Sequence, residues 1–118
     1  TAGNASRTFV LNHATVAATN AAIAAFGWLF AQEIAPKRVN VVSPGLVKTP
    51  TFNFMPEESL KAHYSKFANE LIPVRHVATP EEIALTYIYL MECDYHNGDV
   101  ICVDGGFIGE ERYLNKSG

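Results

Sequence analysis

Arg38-Val39-Asn40-Val41-Val42-Ser43-Pro44-Gly45 is the stretch that decides the fold. Its centre is β-branched and apolar, and Pro44-Gly45 breaks it off, which is how a short buried strand ends. What precedes it is helical. No charged side chain occurs between Thr8 and Gln32, and that stretch holds Ala at eight positions. A helix is expected from near Ala14 to Ala35, where Pro36 stops the hydrogen-bond ladder. A β-branched strand between helices is covered on both faces, so it belongs to a parallel sheet.

Downstream, Leu46 to Met55 has no clear period and carries Pro50 and two Phe residues, which reads as a loop. Pro56-Glu57-Glu58 opens a second helix, with proline in its first turn and acids at the positive end of its dipole. Its apolar positions Leu60, Tyr64, Phe67 and Leu71 recur at helical spacing and define one buried face. Thr79-Pro80-Glu81-Glu82 is a capping box that starts a third helix through Met91. Asn97-Gly98 is a turn. Asp99 to Asp104 reads as a second buried strand, closed by Gly105-Gly106, with Cys102 expected as an inert buried thiol. The tail from Gly109 to Gly118 is polar and is expected to be loose. Helix, strand, loop, helix, helix, strand is the order of an α/β parallel sheet with crossovers. Two strands are too few for such a sheet. The expectation is the C-terminal half of a larger, doubly wound α/β domain occupying residues 1–108.

Composition removes several functions. The chain has 48% hydrophobic and 11% aromatic residues, which excludes intrinsic disorder. Its net charge of −3 offers no basic surplus for nucleic acid and no polybasic run for lipid. The apolar helix is long enough to span a bilayer, but Asn12, His13, Thr15, Thr19, Asn20 and Gln32 would be costly there. A buried or interface helix is expected instead, and no membrane partner. Cys93 and Cys102 do not make a secreted disulfide framework, so a cytoplasmic setting is expected. Cys93-x-x-His96 is a lone pair without a second one at zinc-like spacing, and no metal site is expected.

The stretch from Gln32 to Pro50 resembles the C-terminal half of a short-chain dehydrogenase/reductase: an acidic helix end, then "RVN", "SPG", two residues and Thr49. Thr79 to Ala84 and Gly98 followed by Val103-Asp104-Gly105-Gly106 agree with the same family, and the resemblance runs from about residue 1 to 107. It implies a Rossmann-type fold with NAD or NADP across the carboxyl ends of the strands. It also implies family-like dimers or tetramers through the 14–35 helix. The glycine-rich phosphate loop of that fold does not occur among these eight glycines, so cofactor binding is expected only with an N-terminal half.

The family places a catalytic Tyr and Lys four apart on the long helix, with a Ser about thirteen residues before the Tyr. Aligned on Ala21-Ala22-Ile23, those positions hold Val16 and Asn20, and the Ser position falls at Ala2 or Gly3. The usual catalytic groups are all replaced: the resemblance is to a divergent subgroup of the family that lacks the Tyr-x-x-x-Lys pair, and this chain departs further by having Ala2 where that subgroup has Ser. Asn20 can donate to a ribose hydroxyl but brings no charge to lower a neighbour's pKa. His13, Asn12 and Thr15 lie near the helix start as alternative polar groups. By the resemblance, Pro44, Gly45, Val47 and Thr49 meet the nicotinamide end of the cofactor. Phe52, Phe54 and Met55 fall in the substrate loop, where they either line an apolar pocket or pack the loop down. The expected function is an oxidoreductase with a degenerate site, acting on a small carbonyl or alcohol. The alternatives are a non-catalytic binding or oligomer-forming subunit and an inactive fragment.

Overall fold

The computed structural model describes residues 1–3 and 12–107; the tail from Gly109 to Gly118 lies outside them. Five main elements follow in order: α1 (Ala14–Glu33), β1 (Val41–Pro44), α2 (Glu57–Lys66), α3 (Pro80–Glu92) and β2 (Val100–Val103). A 3-10 turn, Pro50–Phe52, interrupts the loop after β1, and α2 runs on into a π turn, Phe67–Leu71.

β1 and β2 pair in parallel, with Val41 opposite Val100 and Pro44 opposite Val103. The N–H groups of Val41 and Gly45 donate to Asp99 and Val103 at 2.8 and 3.0 Å. Alternate residues of a parallel strand bond to opposite edges, so the Val42 carbonyl faces away from β2. Ala2 N–H reaches that carbonyl at 2.9 Å. Residue 2 is thereby bonded to the edge of β1 that faces away from β2.

Both faces of β1 are covered because adjacent side chains point to opposite sides. Val41 faces α1, where a Cβ on Gly27 would lie 2.3 Å from Val41 Cγ2. Only glycine lets the helix come this close to the strand. Val42 faces the other way and packs with Ile83 and Leu90 of α3. A second cluster of Leu71, Ile72, Val77 and Phe107 lies beneath the π turn, with Tyr64 and Phe67 against it. The expected apolar face of the second helix thus meets the core near its C-terminal end.

Four details differ from the reading of the sequence. α1 ends at Glu33 rather than Ala35, because a residue before proline is disfavoured in helical geometry. β1 begins only at Val41, because residues 38–40 direct their polar groups toward residues 90–99. Arg38 Nη1 donates to the carbonyls of Leu90, Cys93 and His96 at 3.0–3.2 Å. Val39 N–H bonds Asn97 Oδ1 at 2.9 Å, and Asn40 bonds the His96 carbonyl and Asp99 N–H. Cys102 is exposed, not buried. It lies opposite Ser43 in the register, on the face of Val41, where α1 buries only Gly27 and Ala31. Nor is α1 itself buried within the chain: Phe26, Trp28 and Leu29 are each more than half exposed.

The capping box of α3 forms as expected. Glu82 N–H donates to Thr79 Oγ1 at 3.4 Å, and Thr79 N–H donates to Glu82 Oε2 at 2.8 Å. The Thr79 backbone N–H, helped by His76 at 2.8 Å, holds the Glu82 carboxyl below its usual pKa of 4.5. Its contribution to stability is complete above pH 4.5 and disappears as pH falls through the lowered folded value. The difference in melting temperature between the native protein and Glu82→Gln should therefore shrink on acidification below pH 4.5. A difference that stays constant down to pH 3 would remove this role.

Candidate functional site

The loop Pro44–Thr49 leaves the carboxyl end of β1, the end at which open α/β sheets place their ligands. Gly45 sits against the corresponding end of β2: a Cβ there would lie 2.8 Å from Asp104 Cα and Cβ. Glycine lets the two strand ends stay together while the loop turns away. Lys48 N–H then bonds the Ala78 carbonyl at 2.9 Å, and Val47 pairs with Ala78 as a single parallel bridge. The loop is thereby tied to the residue before the α3 cap.

Pro44, Val47 and Thr49 come together with Pro80, Ile83, Ala84 and Tyr87 around an apolar hollow of about 300 Å³. The lining is almost wholly apolar. Thr49 adds the polar group: its hydroxyl donates to Thr51 Oγ1 at 3.1 Å, which leaves its oxygen lone pairs to accept. These residues fit the nicotinamide end of a dinucleotide. They offer no cradle for its pyrophosphate, since the sequence has no glycine-rich loop leading into a helix.

Asn20 lies apart from this hollow, beside Gly3. Its Oδ1 accepts the Gly3 N–H at 3.0 Å. That bond fixes the orientation of the amide and leaves Nδ2 as a donor. A Cβ on Gly3 would come within 3.3 Å of Asn20 Nδ2. Ala2 next to it is buried at 2% exposure. Val16 is 46% exposed on α1 and carries no polar atom. The Thr19 hydroxyl donates back to the Thr15 carbonyl at 2.9 Å, so it is committed to the helix. His13 stands at the N-cap of α1 without a capping bond from its side chain, and Asn12 precedes it with φ 64°.

Phe52, Phe54 and Met55 follow the 3-10 turn. Phe52 is half-buried against His63 and Tyr64 at ring distances of 5.7 and 6.3 Å, whereas Phe54 is 80% exposed. At the opposite, amino end of the strands, His96 does not pair with Cys93. Its Nδ1 meets Asp99 Oδ2 at 2.6 Å and its Nε2 meets the Tyr89 hydroxyl at 2.9 Å. The Cys93 thiol beside Tyr89 holds that phenol above its usual range. No three metal-ligating side chains converge among the described residues. Sequence reading missed the Gly3–Asn20 contact, whose only signal was the pairing of a side-chain-free residue with a short amide.

A parallel pair of strands, the first covered on both faces, with its carboxyl-end loops gathered around an apolar hollow, defines part of a Rossmann-type α/β domain. Known proteins agree. The family model described as enoyl-(acyl carrier protein) reductase matches residues 1–108. Carbonyl reductase family member 4 of Xenopus laevis is 37% identical over 83 residues, covering 69% of this chain and 32% of the relative. The 3-oxoacyl-acyl-carrier-protein reductase FabG of Thermotoga maritima is 33% identical over 96 residues, covering 78% of this chain and 37% of that protein. Among solved structures, a small-chain dehydrogenase in complex with NADPH superimposes with a TM-score of 0.85 at 41% identity, over 89% of this chain and 48% of that one. The chain belongs to the short-chain dehydrogenase/reductase family. It spans about a third of the length of these curated relatives.

Proposed function

We propose that this chain supplies the C-terminal part of an oxidoreductase domain that binds NAD or NADP and acts on a small carbonyl or alcohol, with a degenerate catalytic set. The observation that carries the reading is the hollow lined by Pro44, Val47 and Thr49 at the carboxyl end of β1. The similarity to a dehydrogenase in complex with NADPH supports it. A bound nicotinamide would supply the hydride. The Val47 backbone and the Thr49 hydroxyl would hold its carboxamide, and Asn20 Nδ2 would donate to its ribose. Val16 has no proton to give, so proton transfer would depend on another group.

In the full-length protein, Thr49→Ala should weaken NADPH binding about fivefold, the worth of one neutral hydrogen bond. Titration of nicotinamide fluorescence measures this. Unchanged affinity would withdraw Thr49 from the cofactor site.

The second reading is a non-catalytic, oligomer-forming subunit. Two points favour it: the resemblance puts Ala2 or Gly3, Val16 and Asn20 where the family has Ser, Tyr and Lys, and Phe26, Trp28 and Leu29 are exposed on α1. An apolar helix face of this kind suits a homodimer or tetramer through residues 14–35. By length and composition α1 is also apolar enough to cross a membrane. Its docking on β1 through Gly27 supports a helix seated on a sheet.

A further inference from the structure

We propose that Cys93 is a modification site: a nucleophilic thiol, served by His96 as its base, that adds to soft carbon electrophiles of the α,β-unsaturated carbonyl class. The site lies at the amino end of the strands, away from the Pro44–Thr49 hollow, and does not depend on the cofactor reading. In sequence Cys93 and His96 stand three apart as a bare pair; the fold puts Tyr89 between them. Asp99 Oδ2 lies 2.6 Å from His96 Nδ1, and the Tyr89 hydroxyl lies 2.9 Å from His96 Nε2. A carboxylate only accepts, so Nδ1 carries the ring proton and Nε2 is a bare acceptor for the Tyr89 O–H. Cys93 follows Tyr89 by one helical turn, with its N–H on the Tyr89 carbonyl at 2.9 Å, and its thiol lies beside the phenol. Cys93, Tyr89, His96 and Asp99 thus form one directed chain along which a proton can leave the sulfur.

This chain, rather than access, separates the two cysteines. Cys102 is exposed, whereas Cys93 is only half-buried. The His96 and Asp99 side chains are partly open to solvent, so a small molecule can reach the cluster. Arg38 Nη1 bonds the Cys93 carbonyl at 3.2 Å, which sets a cation at the residue whose sulfur must carry negative charge. A thiol attacks well only when its proton is taken, and an adjacent base supplies that activation. As the sulfur bonds to the β-carbon, the C=C π pair moves to the α-carbon. The thiol proton passes to Tyr89 while the phenol passes its own to His96 Nε2, and Asp99 stabilises the imidazolium. The imidazolium then returns a proton along the same path to the α-carbon, so the addition consumes no other reactant.

The test is timed labelling of the full-length protein with substoichiometric N-ethylmaleimide at neutral pH, read at each cysteine by peptide mass spectrometry. Cys93 should label about tenfold faster than Cys102 or more, although Cys102 is the more exposed thiol. His96→Gln should slow Cys93 by about the same factor and leave Cys102 unchanged. Tyr89→Phe keeps the ring that packs on His96, removes only the relaying hydroxyl, and should slow Cys93 likewise. Cys93 labelling no faster than Cys102 in the native protein would overturn the proposal. So would a native Cys93 rate in either variant, which would show a sulfur reacting by exposure alone. If His96→Gln lowers the melting temperature, Tyr89→Phe decides.

Discussion

Arg38→Ala is expected to lower the unfolding free energy by about 3 kcal/mol, because one removed cation leaves a whole helix end without partners. The guanidinium bonds four carbonyls, at Leu90, Met91, Cys93 and His96, where α3 ends and the chain turns into β2. Its charge also faces the negative end of the α3 dipole. The ion pair with Asp94 adds little, since that carboxylate is 94% exposed. Arg38→Lys should recover only a minor share, because an ammonium cannot span these four carbonyls as a planar fork does. Chemical denaturation of the full-length protein measures both variants. A loss under about 1 kcal/mol for Arg38→Ala would show that water replaces the guanidinium at no cost.

The second large effect is a gain. Joint substitution Gly3→Ser, Val16→Tyr and Asn20→Lys should raise NADPH-dependent reduction of a small ketone about 100-fold or more, the usual worth of a placed general acid. A lysine charge would lower the pKa of the new phenol, and the serine would hydrogen-bond the carbonyl oxygen. Gly3 is chosen over Ala2 because its missing side chain faces Asn20, whereas Ala2 is buried. Replacing Asn20 also removes the amide that a side chain at Gly3 would crowd. The rate of NADPH oxidation is the readout, with melting temperature and NADPH affinity measured beside it. A folded variant that binds NADPH and gains no activity would show that the three positions are not those of the catalytic set.

The parts of this fold that are legible in sequence are those whose causes are local. The capping box of Thr79 and Glu82, the strand stop at Pro44-Gly45 and the Asn97-Gly98 turn each depend on neighbours a few residues away. The parts that are not legible are long-range. Arg38, Val39 and Asn40 read as strand by composition, yet their partners lie more than fifty residues on, and no periodicity encodes that. The exposure of Cys102 depends on how little of α1 covers one face of β2. The π turn after α2 has no residue signature and appears only where Phe67 and Leu71 settle into the second cluster. Of the site, Pro44, Val47 and Thr49 are positioned by a strand end and can be anticipated. The pairing of Gly3 with Asn20 joins separate elements and becomes visible only in three dimensions.

The central proposal is that the Pro44–Thr49 loop forms the nicotinamide end of a dinucleotide site, with Val16 and Asn20 standing where the resemblance puts the family's Tyr and Lys. Its most direct measurement is a titration of the full-length protein with NADPH and NADH, followed by nicotinamide fluorescence. Saturable one-to-one binding of at least one of them is the expected result. Absence of saturable binding by a folded sample at millimolar cofactor would contradict the account.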